Sequence, residues 1–306
     1  DLAPAGRRVI LSERDNFPSD LYVAQGSAAA RGLRLVPCDT AEITARLCDD
    51  VAVLMLTHVN YRTGAMHDMA AVTAAAHAVG ALMLWDLAHS AGAVPVDLLA
   101  AGADAAISCG YKYLNGGPGA PAFLWLHPRH AARAMPTIWG WLGHARPFEF
   151  SPHYAPAEGA ARFVCGTPGV LGMAALEEGV RTLHAAEPFG GMAAIRRKSL
   201  AQTRLFMDLV RGRCGGHSLA IVTPEADARR GSQVCLSRAS GAYEIMQALI
   251  ARGIVGDFRA PDILRFGFTP LYTGFVDVWD AVEALRDVLE TGAWEDPRFA
   301  RRAFVT

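Results

Sequence analysis

The chain has 306 residues, 52% of them apolar, and a formal net charge of −1. That length suits one large domain with a smaller one, and the composition supports a sizeable core. Acidic and basic residues are spread along the chain, which argues against a nucleic-acid-binding face and against a polybasic membrane patch.

In chain order, residues 9–11 read as a strand, and Asn16-Phe17-Pro18-Ser19 as turn chemistry that starts a helix over 18–30. A second strand follows at 33–36, then a helix over 40–48 with Thr40 as its N-cap. Residues 51–57 form a buried strand, and 68–79 a helix capped by Asp68. Strands at 82–86 and 105–109 flank a short helix at 97–101, and a further strand at 122–126 lies beyond a Gly/Pro turn. This alternation predicts an α/β fold with a mostly parallel sheet and helices on both faces. Residues 136–168 are irregular and aromatic (Trp139, Trp141, Phe148, Phe150, Tyr154), as functional or interface loops often are. Residues 169–209 read as mostly helix, broken near 188–191. Beyond Cys214 come strands at 218–222 and 233–237 and a helix at 243–252. Strand-like segments at 254–258 and 262–268 and a final helix at 276–289 complete a smaller C-terminal α+β domain. The division is placed near residue 190, giving a large domain over 1–190 and a small one over 191–306.

No apolar run is long and clean enough to cross a bilayer; residues 70–85 come closest, and Thr73, His77 and Gly80 interrupt them. The start shows no signal peptide and opens on Asp1 rather than Met. The six cysteines (Cys38, Cys48, Cys109, Cys165, Cys214, Cys235) form no C-x-x-C pair, so no metal site or disulfide framework is expected. Free thiols in a reducing cytoplasm are the expectation.

Of 29 basic residues only two are lysines, Lys112 and Lys198. A lysine that persists where arginine is otherwise used can do what a guanidinium cannot, such as forming an imine. Lys198, in Arg196-Arg197-Lys198, reads as an ordinary solvated helix residue. Lys112 sits between two tyrosines in a Gly-rich, otherwise uncharged segment. Asp86 ends the apolar run Leu82-Met83-Leu84-Trp85, and Lys112 follows the run 105–107. Both are therefore expected past the carboxyl ends of parallel strands, where open α/β sheets bind ligands. A lysine and a carboxylate are the pair that pyridoxal 5'-phosphate (PLP) chemistry needs: one to hold the cofactor, one to keep its ring nitrogen protonated. Taken alone, Asp86 reads as a turn or cap residue, His89 as a buried histidine and Gly116–Gly119 as a turn.

The segments Asp86-Leu87-Ala88-His89-Ser90-Ala91-Gly92 and Gly110-Tyr111-Lys112-Tyr113-Leu114-Asn115-Gly116-Gly117-Pro118-Gly119 together resemble the kynureninase family, within the fold-type I PLP enzymes. Further matches run along the chain: Asn16-Phe17-Pro18-Ser19-Asp20, Thr57-His58-Val59-Asn60-Tyr61, Gly140-Trp141-Leu142-Gly143-His144, Gly166-Thr167-Pro168 and Arg265-Phe266-Gly267. The resemblance implies that Lys112 is the Schiff-base lysine and the Cα base, and that Asp86 pairs with the pyridinium nitrogen with His89 beside it. It implies that Phe17 stacks on the cofactor ring, with Pro18, Ser19, Asp20 and Thr57 in the same site. Tyr111 would touch the phosphate and serve as a proton donor. Trp141 and Thr167 would reach the phosphate of the neighbouring subunit's cofactor, which requires a homodimer. Arg265, with His89, would bind the substrate, Arg265 clamping the α-carboxylate. Without the resemblance, Arg265 reads as a surface strand residue and Trp141 as loop packing.

The implied reaction is hydrolysis of the Cβ–Cγ bond of L-kynurenine, or of 3-hydroxy-L-kynurenine, to anthranilate or its hydroxylated form and L-alanine, in tryptophan catabolism. Kynureninases carry on the order of a hundred residues, the scale of a domain, before the Asn-Phe-Pro-Ser-Asp motif, which here begins at residue 16. In that family the stretch supplies the phosphate-cup residues at a helix N-terminus and part of the substrate pocket. Two rival readings stand: a truncated, catalytically impaired PLP-fold protein, and another fold-type I enzyme such as a cysteine desulfurase. Against the desulfurase, His89 and Tyr111 follow the kynureninase pattern.

Overall fold

The computed structural model describes residues 2–302. They divide into two compact units. The first comprises residues up to His58, His67–Ala91 and Val96–Arg181. The second comprises Val59–Met66, Gly92–Pro95 and the chain from Thr182 onward.

The first unit is built on a six-stranded sheet of β1 (Val9–Glu13), β2 (Arg34–Cys38), β3 (Val51–Thr57), β4 (Leu82–Asp86), β5 (Ala105–Cys109) and β6 (Ala122–Leu126), in the order β2-β1-β3-β4-β5-β6. Every neighbouring pair is parallel except β5 and β6. Both faces are covered. Ile10 and Met55 pack on one side with Ala24 and Ala28 of α1 (Pro18–Ala30). Val9, Leu11, Leu54 and Leu56 point to the other, where Ile43 of α2 (Ile43–Arg46) and Ala76 of α3 (Met69–Ala78) join them. Alternation along a pleated strand sends neighbouring residues to opposite faces, so apolar runs such as Val51–Thr57 are buried on both.

Asp68 caps α3, its side chain accepting from the Ala71 amide. Two local expectations are corrected. Thr40 does not cap a helix over 40–48; its hydroxyl donates to Glu13 instead. The chain there makes a 3₁₀ turn at Thr40–Glu42 and then only the short α2. Residues 97–101 are a turn rather than a helix. The Asp97 carboxylate accepts from the Ala100 amide, but Gly102, at φ +69°, ends the segment after one turn. The aromatic stretch is irregular, with short 3₁₀ turns at Trp141–Gly143, Pro147–Glu149 and Gly159–Phe163. It leads into α4 (Val170–His184), inside which the division between the units falls.

The second unit is α+β. Strands β7 (Ala220–Ile221), β8 (Gln233–Ser237), β9 (Asp257–Arg259) and β10 (Ile263–Gly267) form an antiparallel sheet in the order β7-β8-β10-β9. Its core joins Val234, Leu236, Leu264 and Phe266 of the sheet to α5 (Gly191–Arg213), α6 (Ala242–Ile250) and α7 (Phe275–Glu290) through Phe206, Ile245 and Val282.

Candidate active site

The parallel strands of the first unit all end at one edge, and that edge collects Phe17, Asp20, Thr57, Asp86, His89, Tyr111 and Lys112. Asp86 is the last residue of β4 and Thr57 the last of β3, paired in register. Trp85, fully buried, anchors the end of β4 by donating from its indole N–H to Thr73 Oγ1 at 3.1 Å. Asp86 is itself buried. Its Oδ1 accepts from the Ala88 amide at 2.8 Å, and its Oδ2 lies 3.2 Å from the Thr57 hydroxyl. One oxygen thus makes the turn expected after a strand, and the other meets the hydroxyl of Thr57.

Lys112 lies three residues beyond β5. Its Nζ is 5.7 Å from the ring centroid of Phe17 and 5.5 Å from that of Tyr111, within the range of cation–π attraction. The loop carrying it folds tightly: the Asn115 amide donates to the Lys112 carbonyl at 2.9 Å, and the Gly116 amide to the Gly110 carbonyl at 3.0 Å. Two glycines are obligatory here. A Cβ on Gly116 would strike the Gly110 carbonyl, and one on Gly179 of α4 would strike the Leu114 carbonyl. The loop thus rests backbone-to-backbone on α4, which fixes where Lys112 emerges.

Asp20, in the first turn of α1, completes the cluster. Its Oδ2 is buried and, among the described residues, meets no hydrogen-bond partner. Burial and then the neighbouring charge of Asp86 push its carboxyl up to about 6, against the opposing pull of Lys112. Burial likewise raises Asp86, opposed by the Ala88 amide, Lys112 and Thr57. Two carboxylates that burial makes reluctant to ionise thus lie within reach of one ammonium group. Pro18 and Ser19 are exposed in the same first turn, Phe17 is 36% exposed at its N-cap, and Tyr111 is 48% exposed. His89 is buried in the turn after β4.

The structure adds two residues to which sequence reading gave no role in the site itself. Asn16 Oδ1 lies 2.5 Å from the Thr57 hydroxyl and accepts from the Phe17 amide, while its Nδ2 donates to Ser12. It thereby ties the Phe17 turn to the ends of β1 and β3. His58 Nδ1 lies 2.8 Å from Ser90 Oγ, and its amide donates to the Asp86 carbonyl, which joins the end of β3 to the turn bearing Asp86 and His89.

Trp141 and Thr167 are surface residues. Trp141 is 43% exposed and packs edge-on against Phe148 and in parallel with Phe150; Thr167 is exposed in the loop before α4. Arg265 belongs to the second unit and is only 12% exposed, on β10 rather than on a solvated surface.

A sequence model of the kynureninase C-terminal domain matches residues 195–285. A kynureninase of Burkholderia mallei (strain SAVP1) is 57% identical over 304 residues, 98% of this chain and 72% of that protein. A kynureninase of Pseudomonas fluorescens is 51% identical over 303 residues, with the same shares covered. The chain belongs to the kynureninase family. Solved structures share the fold. A cysteine desulfurase of Thermococcus onnurineus aligns with a TM-score of 0.76 at 17% identity, over 93% of this chain and 73% of its own. A C-DES variant with glycine covalently linked to its PLP cofactor aligns with a TM-score of 0.76 at 22% identity, over 92% and 74%. At such identities the likeness is one of fold alone, so the desulfurase reading gains nothing against kynureninase relatives at 51–57%.

Proposed function

We propose that this chain hydrolyses the Cβ–Cγ bond of L-kynurenine, releasing anthranilate and L-alanine, with PLP held by Lys112. The observation that carries the reading is the buried Asp86 and the half-buried Asp20 beside Lys112 and the Phe17 ring. These residues fit the cofactor: Asp20 Oδ2 is a buried oxygen in want of a donor, and an aromatic face lies beside the lysine. When bound, PLP supplies an electron sink conjugated to the substrate Cα.

The chain's own groups do the rest. Lys112 holds the cofactor and then moves the proton at the substrate Cα. Asp86, fixed by the Ala88 amide and Thr57, and its neighbour Asp20 keep a protonated ring nitrogen in place, His89 lying in the same turn. Phe17, at the N-cap of α1, would stack on the cofactor ring, with Pro18 and Ser19 in the turn that follows. Tyr111 is the proton donor to the leaving group. Arg265 takes the substrate α-carboxylate, a task suited to a planar fork of donors. Trp141 and Thr167 serve the phosphate of a neighbouring subunit's cofactor in a homodimer, and the exposed rings of Trp141, Phe148 and Phe150 suit that assembly. The protein would act in the cytoplasm, within tryptophan breakdown that can feed NAD biosynthesis, the division near residue 190 separating a cofactor-binding domain from a smaller one.

The test is direct. Purified protein mixed with PLP should develop the visible absorbance of bound cofactor, and L-kynurenine should then give anthranilate fluorescence. Absorbance without anthranilate would sink the kynureninase reading, and no absorbance would favour a protein that keeps the fold but not the chemistry.

A further inference from the structure

In the antiparallel pair β9–β10, Arg265 stands directly opposite Asp257. Cross-strand partners share one face of a sheet, with their Cβ atoms close enough for charged side chains to meet. They do so in a two-point grip: Arg265 Nε donates to Asp257 Oδ1 at 2.8 Å, and Nη2 donates to Asp257 Oδ2. The third nitrogen, Nη1, donates to the Tyr61 carbonyl at 2.9 Å.

That carbonyl is itself fixed within the second unit. Gln233 Nε2 donates to it at 3.1 Å and to the Asn60 carbonyl at 3.0 Å. Asn60 Oδ1 accepts the amides of Arg62 and Thr63, which closes the turn around Tyr61. Every nitrogen of the guanidinium therefore has a fixed partner, and its plane is defined by both an edge and an end.

We propose that Asp257 is a positioning residue that orients Arg265 for the carboxylate of an amino-acid substrate; this rests on the reading of Arg265 as the carboxylate-binding group. An arginine side chain carries many rotamers, and ordering it at the moment of binding weakens affinity. Asp257 does that ordering beforehand. Each Nη carries two N–H groups, so a nitrogen already donating once can donate again along its outer edge. Asp257 is not a neutralising mate for Arg265 alone. It also accepts from Arg259 at 2.8 Å, so the three side chains keep a net positive charge to attract an anion.

The test uses cofactor-loaded protein and reads ligand binding from the cofactor's absorbance change, not turnover. L-alanine and ethylamine differ only by the carboxylate. Asp257→Ala should raise the dissociation constant of L-alanine about tenfold, the scale of ordering one long side chain, and leave that of ethylamine unchanged. In an Arg265→Ala background, adding Asp257→Ala should change nothing further. Equal weakening of both ligands would mark a merely structural role and overturn the proposal, as would an unchanged L-alanine constant while Arg265→Ala raises it. If Arg265→Ala leaves L-alanine binding intact, the reading of Arg265 fails and the proposal fails with it. Absence of anthranilate from L-kynurenine would sink the proposed reaction while leaving these binding constants to decide the role of Asp257.

Discussion

At the carboxyl ends of the strands, Asp86 lies buried and Asp20 half-buried near Lys112, with an amide and a hydroxyl as the neutral donors to Asp86. At the amino ends of the same sheet, Asp104 is buried just before β5 among four donors. Arg129 Nη2 and His130 Nε2 each lie 2.6 Å from its Oδ1, and His77 Nε2 and the Met83 amide lie 2.8 and 2.7 Å from its Oδ2. Burial raises all three carboxyls, but at Asp104 the hydrogen bonds win and hold it at about 2, while Asp20 stays raised to about 6. One end of the sheet satisfies its carboxylate from within, as a structural group must be. The other leaves Asp20 Oδ2 without a hydrogen-bond partner among the described residues, and a perturbed carboxyl of that kind supports the proposed ligand site.

The contrast can be broken at either end. The largest effect should come from Asp86→Asn, which keeps the turn but removes the charge. Turnover should fall by roughly a hundredfold, the loss of about 2–3 kcal/mol expected for a hydrogen bond to a charged group, while stability changes little. Steady-state kinetics beside a denaturation curve separate the two. Next, Asp104→Ala should strand Arg129 and His130 and cost about 3 kcal/mol of stability in urea, as breaking a buried ion pair does, with cofactor absorbance at saturation unchanged. Loss of cofactor binding there would mean that the two ends are not independent.

The smallest effect concerns pH. In the cofactor-free protein the Asp20 carboxyl is pushed up to about 6 when folded and returns to the ordinary aspartate value of 3.8 when unfolded. The folded state therefore holds the proton longer, and stability should fall as pH rises from about 4 to about 6. Asp104 has the opposite sign: its contribution is complete above the ordinary carboxylate range and is lost as pH falls toward about 2. Asp20→Asn should flatten the first slope and leave the second. An unaltered slope between pH 4 and 6 would assign it to another group.

Much of the fold was legible because the central strands are apolar runs buried on both faces. The bounds of β3, β4 and β5 were readable for that reason, and those of the half-buried edge strand β6 as an apolar run beyond a Gly/Pro turn. The reversed direction of β6 was not, since a Gly/Pro turn does not by itself state which way the next strand runs. The segment at 97–101 misled because an aspartate before Leu98 and Leu99 imitates a helix start, and only the backbone turn at Gly102 shows that it stops. In the site, Lys112 stood out by its rarity and Asp86 by its place at a strand end. Asn16 did not, because a carboxamide after a strand looks like turn chemistry until Thr57 is found beside it. The role of Asp257 was likewise hidden: its pairing with Arg265 depends on strand register, which no local pattern encodes.

The account turns on one covalent bond at one of two lysines. Reducing the PLP-loaded protein with borohydride makes the lysine–cofactor linkage permanent, and peptide mass mapping then locates it. The account predicts the cofactor mass on the peptide containing Lys112, and its loss in Lys112→Ala. Cofactor mass on the Lys198 peptide, or on neither, would contradict it.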